Sequence, residues 1–223
     1  MQNSGGQSQA HAQTMDRLYS WQINIYNFTR KYYLLDRDRL LQHLSPPKNG
    51  RVIEIGCGTG RNLIHAAQLY PDVTFVGVDI SSIMLEKAQK AICKANIEHR
   101  VQLIQADAAH LTFTNPLLKP GSYDRVFFSY TLSMIPQWNK ALAEISRLVA
   151  ESGILLIVDF GLMENMHPFL KGILRLWLKI FYTKPCDDLV EGVKHLNQYG
   201  FKSDVSHPHK GYSIYIKSQK MKT

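Results

Sequence analysis

Cysteine is scarce in this chain. Three stand among 223 residues, Cys57, Cys93 and Cys186, odd in number, scattered, and without the spacing of a metal site. That excludes a disulfide framework, points to a reducing compartment and leaves no zinc site in view. No stretch of 18 apolar residues runs free of charge, so no transmembrane span is expected. Residues 1–14 are rich in Gln, Ser, Gly and Ala and lack the apolar stretch of a signal peptide, so a disordered tail is expected there. Acidic residues are the other shortage: 18 Asp and Glu face 26 Lys and Arg, a formal charge of +8. An excess of that sign suits nucleic acid, an anionic membrane surface, or simply a solvated exterior. The chain is 45% hydrophobic and can bury a core. Its length suits one domain, expected over 15–217, with a helical lid over 15–45 and a basic apolar insertion over 164–183.

Two nucleotide fingerprints are missing as well. A dinucleotide loop, G-x-G-x-x-G, needs its third glycine where Arg61 stands, and a P-loop's Gly-Lys-Ser/Thr does not occur. What is present is Glu54-x-Gly56-x-Gly58-x-Gly60, closing the β-branched run Val52-Ile53-Glu54-Ile55 and opening a helix from about Arg61. A buried strand feeding a glycine loop and a helix N-terminus lets a ligand approach bare backbone. The spacing resembles the first motif of class I S-adenosylmethionine (SAM) methyltransferases. The physical fit is sensible, because SAM carries no phosphate and its amino-acid tail can lie along the glycines.

Further along, Val73–Ile80 reads as a second strand closing on Asp79, where a carboxylate about 20 residues past the loop is placed for ribose hydroxyls. A helix over about 82–96 follows, with Ser81 and Ser82 as caps. Val101–Ala108 is the third strand, with Asp107 placed to accept from an adenine amino group and Ala108 leaving room for the ring. Tyr123–Tyr130 is the fourth, closing on Ser129-Tyr130, and Gly153–Gly161 is the fifth, with Ala141–Val149 assigned to the helix before it. Strand alternating with helix means a doubly wound, mostly parallel, Rossmann-like α/β sheet of seven strands, with an N-terminal helical lid and a C-terminal antiparallel hairpin. Ligands in such sheets bind beyond the carboxyl ends of the strands. The candidate cofactor residues are therefore Glu54, Gly56, Cys57, Gly58, Gly60, Asp79, Ile80, Met84, Asp107, Ala108, Ser129 and Arg30. The expected cofactor is S-adenosyl-L-methionine, leaving as S-adenosyl-L-homocysteine.

Two other stretches stand out. Residues 15–44 carry apolar residues in a helical rhythm with Tyr19, Tyr26, Tyr32 and Tyr33 among Arg30, Lys31, Arg37 and Arg39. These tyrosines read as packing, or as a lid whose aromatic faces suit a sulfonium or quaternary ammonium. Phe169–Tyr182 is apolar almost all round, with Lys171, Arg175 and Lys179 four apart and no acidic residue among them. An apolar body with Trp177 and a basic stripe fits a helix lying in a membrane interface, or equally a cap or dimer helix with a solvated charged face. A last helix is expected over Asp187–Tyr199 with Gly200 as its cap, then strands over Phe201–Ser206 and Tyr212–Ile216.

Five runs make the resemblance narrower: Ile25–Leu40 with its Thr29-Arg30-Lys31-Tyr32-Tyr33 core, Glu54–Leu63, Ser129-Tyr-Thr-Leu-Ser-Met-Ile-Pro136, Val158-Asp-Phe-Gly161 and Lys210-Gly-Tyr-Ser213. Together they resemble the BtaB-type N-methyltransferase of bacterial betaine-lipid synthesis, with Asn27 and Asp36 standing where acidic and glycine residues are more usual. The resemblance implies an enzyme that methylates the amine of diacylglycerylhomoserine up to three times. It also implies a cytoplasmic protein peripheral on the membrane face, with no nucleic-acid partner, and leaves open a homo-oligomer or association with the upstream aminocarboxypropyl transferase. In that setting Tyr130 is the first candidate for orienting the amine, Tyr26 and Tyr33 for the lid, and Arg30 for a carboxylate of SAM or of the head group. The rival readings are a phosphatidylethanolamine N- or quinone C-methyltransferase and a non-catalytic SAM-binding partner of RNA.

Overall fold

A computed structural model describes residues 33–111, 113, 115–180, 185 and 188–222, without the side chains at 177, 179 and 180. The expected tail, Tyr26, Arg30 and most of the expected lid lie outside the described residues. So do residues 181–184 and the side chains of Trp177 and Lys179.

A short helix α1 (Arg37–His43) leads into β1 (Arg51–Ile55), α2 (Arg61–Leu69), β2 (Thr74–Asp79), α3 (Ser82–Lys94) and β3 (Val101–Gln105). There follow β4 (Tyr123–Ser129), α4 (Trp138–Ser146), β5 (Val149–Phe160), α5 (Pro168–Ile180), α6 (Leu189–His195), β6 (Phe201–Ser206) and β7 (Ser213–Lys220). The sheet has seven strands in the order β3-β2-β1-β4-β5-β7-β6. All neighbours are parallel except β7, which runs antiparallel to both β5 and β6. The doubly wound sheet and the closing hairpin are as expected. β1 and β4 are buried on both faces, which is why they read as unbroken apolar runs rather than alternating ones.

Several boundaries differ from those expected. Val149 opens β5 instead of ending a helix, because Leu148 N–H already turns back to Ile145 O and Tyr123 pairs with Val149. β3 stops at Gln105, so Asp107 lies in a turn beyond the strand. The last helix is shorter than expected: α6 gives way to a 3-10 turn over Leu196–Tyr199 before Gly200, whose left-handed backbone (φ 78°) ends it. Ser81 caps α3 as expected, its hydroxyl accepting from Met84 N–H.

Two buried clusters cover the two faces of the sheet. Arg100 ties one edge together, its guanidinium donating to the carbonyls of Ala67, Tyr70 and Val73 at 3.0–3.2 Å, so the α2 C-terminus is capped from β3's side. Arg100→Ala leaves those carbonyls to partial hydration, and urea titration is expected to show a loss of about 1–3 kcal/mol.

The segment just before α1 is strapped onto the carboxyl end of the sheet. Tyr130 OH donates to Leu35 O (2.8 Å) and Tyr212 OH to Tyr33 O (2.9 Å). Ser213 Oγ donates to Asp36 Oδ2 (2.7 Å), which also lies 3.0 Å from His209 Nε2. Asp36 stands where the resemblance puts glycine, and its backbone is left-handed (φ 61°) as a glycine's would be, a conformation Asp tolerates better than most residues. Phe160 sits among the rings of Tyr33, Tyr130 and Tyr212 with centroids at 6.4, 4.6 and 5.9 Å. Gly161 is required by close approach, since a Cβ there would stand 2.3 Å from Gly211 O.

Burial pushes Tyr123 and Tyr215 up to about 12 and raises Tyr130 and Tyr212 as well. Folded values above the unfolded value of ~10 mean that this stabilisation is whole below pH ~10 and lost as pH rises through the folded values. Alkaline titration is expected to bring their tyrosinate absorbance up together with loss of circular dichroism. Ionisation of every tyrosine near pH 10 with the fold intact would contradict it.

Candidate functional site

A cavity opens at the carboxyl ends of the strands, about 610 Å³ when the open space at its mouth is counted. Its lining follows the strand order across the sheet. Ala106, Asp107 and Ala108 come after β3, Val78, Asp79 and Ile80 end β2, Ile55, Gly56 and Gly58 leave β1, and Tyr130, Thr131, Met134 and Ile135 follow β4.

The glycine loop is closed upon itself. Gly56 and Cys57 N–H both donate to Val78 O at 2.7 and 3.0 Å, Gly60 N–H to Cys57 O, and Gly58 N–H to Asp79 Oδ2 at 2.7 Å. Those four donors are engaged within the loop and with the end of β2. Asp79 Oδ1 accepts from Ser81 N–H (2.9 Å), so one carboxylate fixes both the loop after β1 and the turn after β2. Two backbone donors do not exhaust a carboxylate, which accepts at about four positions. Asp107 is fixed in the same way, its Oδ1 accepting from Ala109 N–H (2.9 Å) and its Oδ2 lying 3.0 Å from His110 Nδ1. Gly56 (φ 71°) packs so closely on Thr131 that a Cβ would stand 2.2 Å from Cγ2.

Beyond β4 the wall is held by Asp159. Its buried carboxylate accepts from Ser133 N–H (3.1 Å) and Phe160 N–H (2.8 Å), and burial raises its pKa despite those hydrogen bonds. Tyr130 has left-handed backbone (φ 56°), as do Met163, His209 and Lys210, all non-glycine residues at this end of the sheet. Such strain is found where surrounding contacts over-determine a site.

Gly56, Gly58, Asp79, Ile80, Asp107, Ala108 and Tyr130 thus come together around the cavity, and five other expected cofactor residues do not line it. Glu54 is buried and accepts from Asn62 Nδ2 at 2.7 Å, pinning α2 to β1. Cys57 packs in the core, its thiol pushed well up by burial. Gly60 caps α2 in left-handed conformation against Ala88. Met84 shares the buried face of α3 with Ala88 and Ile92, and Ser129 is buried with no hydrogen-bond partner for its hydroxyl among the described residues. Tyr130 lines the cavity, yet the hydroxyl expected to orient an amine holds Leu35 O instead, and Tyr33 stacks on Phe160 outside the lining. Sequence reading missed His110, three residues after Asp107, and gave no site role to Thr131, Met134 or Ile135 despite their motif.

Residues 46–192 match the model of a methyltransferase domain. The chain belongs to that family, the class I SAM-dependent methyltransferases. Among curated relatives it is 28% identical over 164 residues to the demethylmenaquinone methyltransferase of Lactobacillus johnsonii, covering 72% of this chain and 64% of that one. It is 30% identical over 124 residues to the phosphatidylethanolamine N-methyltransferase of Cereibacter sphaeroides, covering 55% of this chain and 56% of that one. This methyltransferase chain therefore spans less than two thirds of the length of either relative. In fold it is similar to a Haemonchus contortus N-methyltransferase solved with phosphomonomethylethanolamine and S-adenosylhomocysteine (TM-score 0.73, 17% identity, 96% of this chain and 60% of that one). A SAM-dependent methyltransferase structure from Methanococcus maripaludis is similar too (TM-score 0.65, 19% identity, 95% and 93% covered).

The residues present fit SAM, the family's cofactor. Asp107 and Asp79 offer carboxylate acceptors to the cavity, Ile80 and Ala108 offer it apolar surface, and Gly56 and Gly58 leave bare backbone along it. Asp79→Asn is expected to weaken S-adenosylhomocysteine binding ~10–100-fold in calorimetry, the worth of a charge-assisted hydrogen bond. Gly56→Ala, which drives a methyl into Thr131, is expected to abolish binding at concentrations that saturate the natural chain.

Proposed function

We propose that this methyltransferase methylates the amine of a lipid, and that the lipid is diacylglycerylhomoserine, taken through up to three methylations to the betaine lipid. The observation that carries the reading is the uneven chemistry of the cavity. Its carboxylates, Asp107 and Asp79, stand under β3 and β2, while the β4 end is walled by Tyr130, Thr131, Met134 and Ile135. Burial raises the phenol of Tyr130, and its hydroxyl is engaged with Leu35 O, so among the described residues no lining side chain at that end is a base near neutral pH. When bound, SAM supplies an electrophilic methyl group.

An amine needs little more from the chain. Once it has lost its proton it is a nucleophile by itself, and a dry, uncharged wall lowers the pKa of the ammonium it came from. A hydroxyl or a ring carbon would ask for a positioned base. The chain's remaining task is alignment, which can contribute up to ~7–11 kcal/mol. Likeness to a phosphatidylethanolamine N-methyltransferase supports a lipid amine, and the five sequence runs support the homoserine head group. Within this reading Arg30 is assigned to a carboxylate of cofactor or head group and Tyr26 and Tyr33 to the lid. The protein would be peripheral on a membrane; no helix of the described residues is long and apolar enough to cross one.

The test is product identification by mass spectrometry with methyl-labelled SAM and separate micelles of diacylglycerylhomoserine, phosphatidylethanolamine and a demethylquinone. One to three methyls on the homoserine lipid alone, at a rate that rises with pH as the ammonium deprotonates, is the expected outcome. Transfer only to the quinone carbon, favoured by the likeness to a demethylmenaquinone methyltransferase, would overturn the amine reading. No transfer to any of them, with S-adenosylhomocysteine still bound, would overturn the lipid reading.

A further inference from the structure

The two carboxylates of the cavity stand at the ends of neighbouring strands and are held by different means. At Asp79 both donors are backbone, Gly58 N–H on one oxygen and Ser81 N–H on the other. At Asp107 one donor is backbone, Ala109 N–H at 2.9 Å, and the second is a side chain, His110 Nδ1 at 3.0 Å. The turn itself brings that ring back to the carboxylate, because His110 N–H donates to Asp107 O three residues earlier. An ionised carboxylate only accepts, so the proton between the two side chains stands on Nδ1.

The second donor matters because the χ2 torsion of an aspartate is broad. Ala109 N–H anchors one oxygen, and about that anchor the carboxylate plane can still swing. A donor on Oδ2 sets the plane. A carboxylate accepts at about four positions, so two donors orient it without exhausting it.

Asp107 lies at the end of the lining farthest from β4, beyond edge strand β3. SAM has two ends that could reach it. The amino-acid tail carries a carboxylate, which Asp107 and Asp79 would repel, and among the described residues no Lys or Arg lines the cavity. The other end is a flat, uncharged ring with one amino group, which suits the apolar surface of Ile80, Ala106 and Ala108 with an acceptor at its rim. We propose that His110 is a positioning residue that aims the Asp107 carboxylate at the adenine amino group, and so sets the site's preference for adenine over a deaminated base. At β3 a side chain thereby does what backbone does at β2. The inference rests on SAM as the occupant of the cavity and is independent of which substrate is methylated.

The probes are S-adenosylhomocysteine and S-inosylhomocysteine, in which a carbonyl replaces the amino group, each titrated into the full chain by calorimetry. A carbonyl turned toward a fixed carboxylate sets acceptor against acceptor, so the natural chain is expected to prefer the adenosyl ligand by ~100-fold or more. His110→Ala is expected to lower that ratio ~tenfold, through weaker binding of the adenosyl ligand. His110→Asn places an amide nitrogen near the position of Nδ1 and is expected to restore most of the ratio. The His110 side chain is 21% exposed, so neither variant opens the core. Equal affinity of the natural chain for the two ligands would mean that Asp107 meets another part of the cofactor, and would overturn the proposal. An undiminished ratio in His110→Ala would do so too, as would equal losses for both ligands or an asparagine variant no better than the alanine one. Absence of S-adenosylhomocysteine binding by the natural chain would instead overturn SAM as the occupant, and the inference with it.

Discussion

The carboxylate of Asp79 is the interaction on which the cavity depends. It stands at the end of β2, and the parallel register of β1 with β2 brings the glycine loop within its reach. From there it receives the N–H of Gly58 on one oxygen and that of Ser81 on the other. Each is a hydrogen bond to a charged acceptor, worth about 1.5–3 kcal/mol, and together with the bonds from Gly56 and Cys57 N–H to Val78 O they hold the two loops in step. The same residue thus shapes the floor of the cavity and presents a negative charge to it.

The opposite wall is built on another plan. Beyond β4 the chain turns through left-handed Tyr130, is caught from below by Asp159 through Ser133 N–H, and is pressed against Gly56 by Thr131. The aromatic group around Phe160 fills the space behind, and its hydroxyls reach out to the backbone ahead of α1. Polarity is therefore graded across the site, anionic under β3 and β2 and neutral under β4.

Much of this was legible in the sequence because strand ends announce themselves: a β-branched run followed by Gly56, by Asp79, by Asp107 or by Ser129-Tyr130 can be placed on the sheet without coordinates. Side-chain direction could not be read as well. Met84 lies next to a cofactor motif, yet the helical period that joins it to Ala88 and Ile92 puts it in the core. Glu54 reads in the sequence as a cofactor residue and proves to be the partner of Asn62 across the loop. The Tyr130 hydroxyl finds its acceptor 95 residues away, a pairing no local pattern encodes. Asp36 was visible as a departure from a glycine position; that its carboxylate would then be taken up by Ser213 and His209 was not.

The strap also orders events in time. Tyr33 is held by Tyr212, Asp36 by Ser213 and His43 by Tyr215, contacts that span 179, 177 and 172 residues of chain. Closing loops of that length comes late in folding, after the local βα units have formed. During synthesis the segment around residue 33 emerges long before the strand that holds it, so it must wait through the making of nearly the whole sheet. Until β7 slots in between β5 and β6, Leu35 and the rings around Phe160 remain apolar surface open to water, a period in which a chaperone or a premature partner has something to grip. The last interior strand to be made is the one that finishes the first described segment.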